Sequence, residues 1–272
     1  MPTLQIPPNL SMHYVIDDYT DPWREPEAVL MLHGNTESGV VWYGWVPHLA
    51  RRYRVVRPDM RGFGASTPMP RDYPWTIDAM IDDYVTLMQS LGIARVHLIG
   101  AKLGGTIARC FAARFPERVY SLSLCDTASE MPPRSLWEDR FATARKEGLA
   151  GLVDGTIKRW FTDPFVQRAP QDIEKVRQMI LETGVDGYIG CGSAVRDMAQ
   201  TTMLLKIKTP TLILTGRQDP ACTVEQSIVL NRMIEGSKFV IIEEAAHLSN
   251  IEQPAVFNQT IREFIDSVDD AL

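Results

Sequence analysis

Val96-His97-Leu98-Ile99-Gly100 runs into Ala101-Lys102-Leu103-Gly104-Gly105 and then into a segment with Ile107, Ala108, Phe111, Ala112 and Phe115, and this stretch decides the fold. The first five residues read as a short apolar strand. Glycines flank the turn that follows, and the later apolar residues fall at helical spacing. The order is strand, tight turn, helix. It places Lys102 where the chain reverses, at the amino end of the helix.

Working outward, the same rhythm repeats on both sides. Upstream, Ala28–Leu32 is an unbroken apolar run ending at His33-Gly34, as expected of a central strand buried on both faces. Tyr53–Asp59 is a second strand, closed by Pro58 and followed by a loop with Gly62 and Gly64. Thr76 to Leu91 carries Ile77, Met80, Ile81, Tyr84, Val85, Met88 and Leu91 on one helical face, with Thr76 as N-cap and Gly92 as stop. Downstream, Val119–Asp126, Thr211–Gly216 and Lys238–Ile242 are further strands. Strands alternating with helices predict an α/β fold with a doubly wound, mostly parallel sheet. Between Ser129 and Ile207 the rhythm changes to helix, with Trp137, Phe141, Trp160, Phe161, Phe165, Met179, Ile180, Tyr188 and Met198 as packing residues. The expected division is a core of residues 1–128 and 208–272 with a helical cap, 129–207, inserted before the late strands.

Composition narrows the function. A chain of 272 residues with 45% hydrophobic content can bury a large core, and one α/β domain with an insertion fits it best. Acidic residues outnumber basic ones, 34 to 28, which leaves no electrostatic footprint for nucleic acid. Cys110, Cys125, Cys191 and Cys222 have no C-x-x-C spacing, so neither a zinc site nor a disulfide framework is expected. No phosphate-cradling glycine loop and no H-E-x-x-H helix occurs. The expectation is a protein without metal or cofactor. The start of the chain lacks the basic and apolar regions of a signal peptide, and no apolar run approaches the ~20 residues of a membrane span. That points to a cytoplasmic protein whose partner is a small-molecule substrate, with no nucleic-acid or membrane partner; oligomeric state is not written in the sequence.

Five marks in order resemble the α/β-hydrolase superfamily, especially small capped members such as enol-lactone hydrolases and C–C bond hydrolases. They are His33-Gly34 after a strand, the loop Asp59–Ser66, the turn at 100–105, Gly216-Arg217-Gln218-Asp219-Pro220 after a late strand, and Ala246-His247. The family's elbow reads G-x-S-x-G. Here it reads Gly100-Ala101-Lys102-Leu103-Gly104, with lysine in place of the nucleophilic serine. The resemblance implies His247 as the base and Asp219 as the acid that orients it, with Asp126 as the fallback acid. It also implies an oxyanion hole from the backbone of Leu103 and Asn35, next to Gly34. Asn35 could aim its side-chain amide inward or simply serve the turn. Trp42 either closes the pocket or packs beneath the cap, and packing is the favoured role. His33 is expected to support the oxyanion loop, and the glycines and arginine of Asp59–Ser66 to hold that loop's shape.

Serine acyl-enzyme chemistry cannot run through Lys102, which has no hydroxyl. Helix dipole and desolvation disfavour its ammonium, while Asp126 or Asp219, if close, favours it. A neutral Lys102 would be a Schiff-base nucleophile for a lyase or decarboxylase acting on a keto acid. A charged Lys102 would stabilise an oxyanion or anchor a carboxylate while His247 activates water, giving a hydrolase of a small ester, lactone or C–C bond. A catalytically silent binding protein is the third reading. The hydrolase is the favoured one.

Overall fold

The computed structural model describes residues 2–130, 133–197 and 201–270. Met198 lies outside the described residues. Eight strands form one sheet: β1 (Thr3–Ile6), β2 (Leu10–Asp17), β3 (Ala28–Leu32), β4 (Arg54–Pro58), β5 (Val96–Ala101), β6 (Val119–Cys125), β7 (Thr211–Gly216) and β8 (Lys238–Ile242), in the spatial order β1-β2-β4-β3-β5-β6-β7-β8. From β4 to β8 every pair is parallel, and β3 lies against β5 in the register Ala28↔Val96 to Leu32↔Gly100. β3 and β5 are buried along their whole length, which is why both read as continuous apolar runs.

The hairpin β1–β2 pairs antiparallel and extends the sheet past β4. Sequence pattern did not announce it. β2 contains Ser11 and His13, whose backbone N–H groups donate to Thr67 and Ser66 side chains, so its polar residues serve the neighbouring loop and break the alternation.

The helices are α1 (Val46–Leu49), α2 (Ile77–Ser90), α3 (Leu103–Arg114), α4 (Arg134–Glu147), α5 (Ala150–Trp160), α6 (Asp163–Arg168), α7 (Pro170–Leu181), α8 (Val185–Arg196), α9 (Val224–Met233), α10 (Ser249–Glu252) and α11 (Pro254–Asp269). α2 starts as expected, with Thr76 Oγ1 accepting from Ala79 N at 3.1 Å, and Gly92 follows its end at φ 68°. α4 to α8 lie in sequence between β6 and β7. The loop Asp59–Ser66 is held from within. Asp59 accepts from the backbone N–H groups of Gly39 and Ala65 and contacts His13, while Arg61 forms a buried ion pair with Asp83 of α2. These contacts give the loop the structural role expected of it.

All four cysteines are buried as thiols. Among the described residues, no helix is long and apolar enough to cross a membrane.

Candidate active site

β5 delivers the chain into the elbow, where Lys102 sits at φ 56°, ψ −117°. A non-glycine residue with positive φ is strained, and the surrounding structure must enforce it. The glycines show how. A Cβ on Gly104 would lie 2.1 Å from the Leu32 carbonyl oxygen, and one on Gly100 would lie 2.3 Å from that of Gly104. α3 therefore begins in direct backbone contact with β3 and β5. Lys102 N donates to Cys125 O at 3.0 Å, and Lys102 O accepts from Thr127 Oγ1 at 2.7 Å, fixing the turn from both ends.

Lys102 is 6% exposed and the adjacent Glu37 1%. Lys102 Nζ lies 2.8 Å from Glu37 Oε1, and Glu37 Oε2 accepts from Gly34 N at 2.7 Å. The contact is electrostatic: among the described residues, neither Nζ nor Oε1 forms an aligned hydrogen bond. A buried charge requires a partner. The sequence offered Asp126 and Asp219 as acids close to Lys102; Asp126 does lie within electrostatic reach, but the direct partner is Glu37, from the loop after β3.

His247 Nδ1 lies 2.8 Å from Asp219 Oδ2, and Asp219 Oδ1 accepts from the backbone N–H groups of Ala221 at 2.7 Å and Cys222 at 2.9 Å. A carboxylate so placed selects the tautomer with the proton on Nδ1 and leaves Nε2 as an acceptor. Asp219, and not Asp126, partners the histidine. Asp126 sits beneath, accepting from Gly216 N at 3.0 Å and Ser249 Oγ at 2.6 Å. Burial, reinforced by the negative charge of Asp219, pushes its carboxyl up to about 7.

Lys102, Leu103, Asn35 and His247 line one side of a cavity of about 490 Å³, and Trp137, Arg140, Leu149, Leu152, Arg159 and Tyr188 line the side formed by α4, α5 and α8. Leu103 is the first residue of α3, where backbone N–H groups have no acceptor within the helix. Asn35 spends its side-chain amide elsewhere: Nδ2 donates to the Tyr188 carbonyl at 3.2 Å, joining the loop after β3 to α8. Gly34 contributes through its N–H to Glu37 and does not line the cavity. Trp42, placed among the candidate pocket residues from sequence, is fully buried elsewhere. Its ring meets Trp45 edge-on at 6.0 Å, so packing is its role. His33 is equally fixed, with Nδ1 donating to Gly34 O and Met60 N donating to Nε2, both at 2.8 Å. Burial holds its pKa below the ordinary histidine value, and it supports the loop as a neutral ring.

Sequence reasoning missed Glu37 and Glu252. The second accepts from Thr162 N at 2.9 Å and Thr162 Oγ1 at 2.7 Å, and also from Ala246 N beside His247. Leu248 N donates to Trp160 O at 3.1 Å. The His247 loop is thus bonded on both sides to the chain around the end of α5.

Asp219, Cys222 and His247 place three donor atoms within 4.8 Å of one another. Asp219 is already engaged by His247 and two N–H groups, and burial, with Asp219 and Asp126 nearby, pushes the Cys222 thiol far up and keeps it protonated. These residues serve hydrogen bonding better than metal ligation, which needs a thiolate.

Comparison with known proteins agrees with this geometry. Residues 27–254 match the alpha/beta hydrolase fold family. The chain is 31% identical over 222 residues to 3-oxoadipate enol-lactonase 2 of Acinetobacter baylyi, covering 81% of this chain and 82% of that one. It is 27% identical to 2-hydroxymuconate semialdehyde hydrolase of a Pseudomonas species, over 89% of this chain and 88% of the other. Among solved structures, the enol-lactonase from Burkholderia xenovorans LB400 superposes with a TM-score of 0.92 at 29% identity, over 97% of this chain and all of that one. Family match and sheet order converge: the chain belongs to the α/β-hydrolase fold family.

Proposed function

We propose that this chain is a cofactor-free hydrolase of a small carbonyl compound, an ester, a lactone or a C–C bond next to a ketone, with Lys102, His247 and Asp219 as its working groups. The observation that carries the reading is that Lys102, paired with buried Glu37, and His247, paired with Asp219, line one cavity. Lys102 is engaged as a cation by a carboxylate, which disfavours its use as a free amine nucleophile. Its ammonium keeps unaligned donors for a ligand.

In this reading the substrate carbonyl oxygen lies toward the backbone N–H groups of Leu103 and Asn35 and the Lys102 ammonium. Water attacks the carbonyl carbon as His247 Nε2 takes its proton, and Asp219 stabilises the imidazolium at Nδ1. The tetrahedral oxyanion is stabilised by the same N–H groups and by Lys102. Its collapse breaks the bond to the leaving group, which takes the proton from His247. Residues 129–207 act as a cap that closes the site, and the enol-lactonase and C–C hydrolase relatives support this choice of substrate chemistry.

The test is turnover of a panel of small esters, enol lactones and β-diketones. His247→Ala is expected to abolish turnover, while Lys102→Met combined with Glu37→Gln lowers kcat and leaves measurable His247-dependent activity. A borohydride-trapped keto-acid adduct on Lys102 would establish the lyase reading instead. Ligand-induced thermal shifts with no turnover of any panel member would establish a binding protein.

A further inference from the structure

A histidine and two carboxylates meet at the end of the sheet opposite Lys102. Glu27 precedes β3, His97 is the second residue of β5, and Asp269 ends α11. His97 Nε2 lies 3.1 Å from Glu27 Oε2 and 3.2 Å from Asp269 Oδ1, and the three atoms fall within 4.8 Å of one another. His97 is fully buried, its ring stacked on Tyr120 at 5.3 Å and edge-on to Tyr53 at 5.4 Å. Its other nitrogen, Nδ1, lies 2.9 Å from Ser121 Oγ. With the proton on Nδ1, the ring donates to Ser121 and presents the Nε2 lone pair to the two carboxylates.

Such a meeting needs a positive charge between the groups. A proton on Nε2 would supply one, but it serves Glu27 and leaves Asp269 Oδ1, a buried atom, without an aligned hydrogen bond among the described residues. Both separations also exceed the about 2.7–2.9 Å of a charge-assisted N–H···O bond. They approach instead the roughly 3.3 Å between neighbouring ligands of a tetrahedral metal with bonds of about 2.0–2.1 Å. The second oxygen of Asp269 is already engaged. Oδ2 accepts from Tyr53 Oη at 2.6 Å, and burial together with that bond pushes the Tyr53 phenol far up. Tyr53 therefore stays a donor and leaves Oδ1 for a cation. Arg52 reaches Oδ2 at 3.5 Å and is itself held by Asp266 at 2.7 Å. Arg24 and Arg51 stand nearby but make no ion pair with Glu27 or Asp269 among the described residues. A surface cavity of about 390 Å³, lined by Glu27, Tyr53 and Asp269, gives an entry path and room for water.

We infer that Glu27, His97 and Asp269 form a site for a divalent transition metal of the zinc class, with water completing a four-coordinate shell. One imidazole and two carboxylates suit Zn²⁺ better than Ca²⁺ or Mg²⁺, which take oxygen ligands. The ion is structural and takes no part in the hydrolysis. It clasps the last turn of α11 to two central strands, at the end of the sheet away from the reacting groups.

The probe is Zn²⁺ alone, added to the whole chain without an affinity tag. The protein is expected to retain one equivalent after equilibrium dialysis, and Zn²⁺ at about 100 times its Kd should raise the melting temperature by about 5 °C or more. X-ray absorption at the zinc edge should show nitrogen and oxygen ligands at about 2.0–2.1 Å and no sulfur, which separates this site from Asp219, Cys222 and His247. His97→Gln and Asp269→Asn each lose the equivalent, Cys222→Ala keeps it, and Ser121→Ala weakens binding about 10–100-fold by freeing the ring. The absorption spectrum of the wild-type protein decides the matter even where a variant fails to fold. No retained Zn²⁺, a sulfur ligand, or equal retention by folded His97→Gln overturns the site. Displacement of Zn²⁺ by an equal concentration of Ca²⁺ or Mg²⁺ overturns the choice of metal.

Discussion

Lys102 and Glu37 face each other at 2.8 Å across the elbow, one from the turn after β5 and the other from the loop after β3. Removing one member strands the other charge in a buried site. Glu37→Gln is therefore expected to cost about 3–5 kcal/mol of stability. The double variant Glu37→Gln/Lys102→Met recovers most of that loss, because both charges leave together. Urea denaturation of the wild type, both single variants and the double variant gives the coupling directly. Additive losses would show that the two groups do not depend on each other.

The pair also bears on placing a serine at the elbow. Lys102→Ser alone leaves Glu37 buried without its counter-charge. Lys102→Ser with Glu37→Gln places a hydroxyl on the elbow beside an intact His247–Asp219 pair. Only the double variant is expected to release p-nitrophenol from p-nitrophenyl acetate with a burst equal to the enzyme concentration, the sign of an acyl-enzyme. A burst of the same size in the single variant would show that Glu37 is no obstacle.

Gly104 carries the closest approach in the elbow, and its neighbour is a backbone carbonyl that no side-chain movement can clear. Gly104→Ala is expected to destabilise by about 3 kcal/mol through overpacking. Gly44→Ala, where a Cβ meets nothing within 4 Å, is the control and should change stability by less than about 0.5 kcal/mol. Thermal melts of the two variants make the comparison.

Asp126 ties stability to pH. Its carboxyl titrates near 7 in the folded chain against an ordinary value of 3.8, so between those values the folded state holds a proton that the unfolded state has lost. Stability from this group is therefore full below about pH 4 and falls as pH rises toward 7. Asp126→Asn keeps an acceptor for Gly216 N and a polar partner for Ser249 Oγ, and removes the charge. Its melting temperature is expected to exceed that of wild type at pH 8 by more than at pH 5, at roughly 2–4 °C per kcal/mol for a chain of this size. A gain that does not vary with pH would remove the charge as its cause.

Much of this architecture was legible because burial on both faces leaves a plain mark. β3, β5 and β7 read as apolar runs, and the Gly100–Gly104 spacing located the elbow. The hairpin β1–β2 did not stand out, since its strands lie toward the sheet edge and Ser11 and His13 interrupt the pattern. Asp219 and His247 were readable through the resemblance to the α/β-hydrolases, which implies an acid and a base in the loops after the late strands. Glu37 was hidden by its type: a charged residue in a loop reads as solvated, and nothing local shows that its partner is 65 positions away in the chain. A buried lysine demanded an acid, but several loops at that end of the sheet could supply one.

Glu252 reaches from α10 to Thr162 at one end and to the N–H of Ala246, next to the base, at the other. One carboxylate thereby joins the chain at the end of α5 to the loop that carries His247. A substitution at one end is therefore expected to be felt at the other. A change that reshapes α5 for a new substrate also strains the seat of His247, and compensating substitutions should gather around Glu252. Exchanging the whole segment with that of a relative, without the matching contact at this position, is expected to lose activity by misplacing the base even where the new pocket admits the substrate.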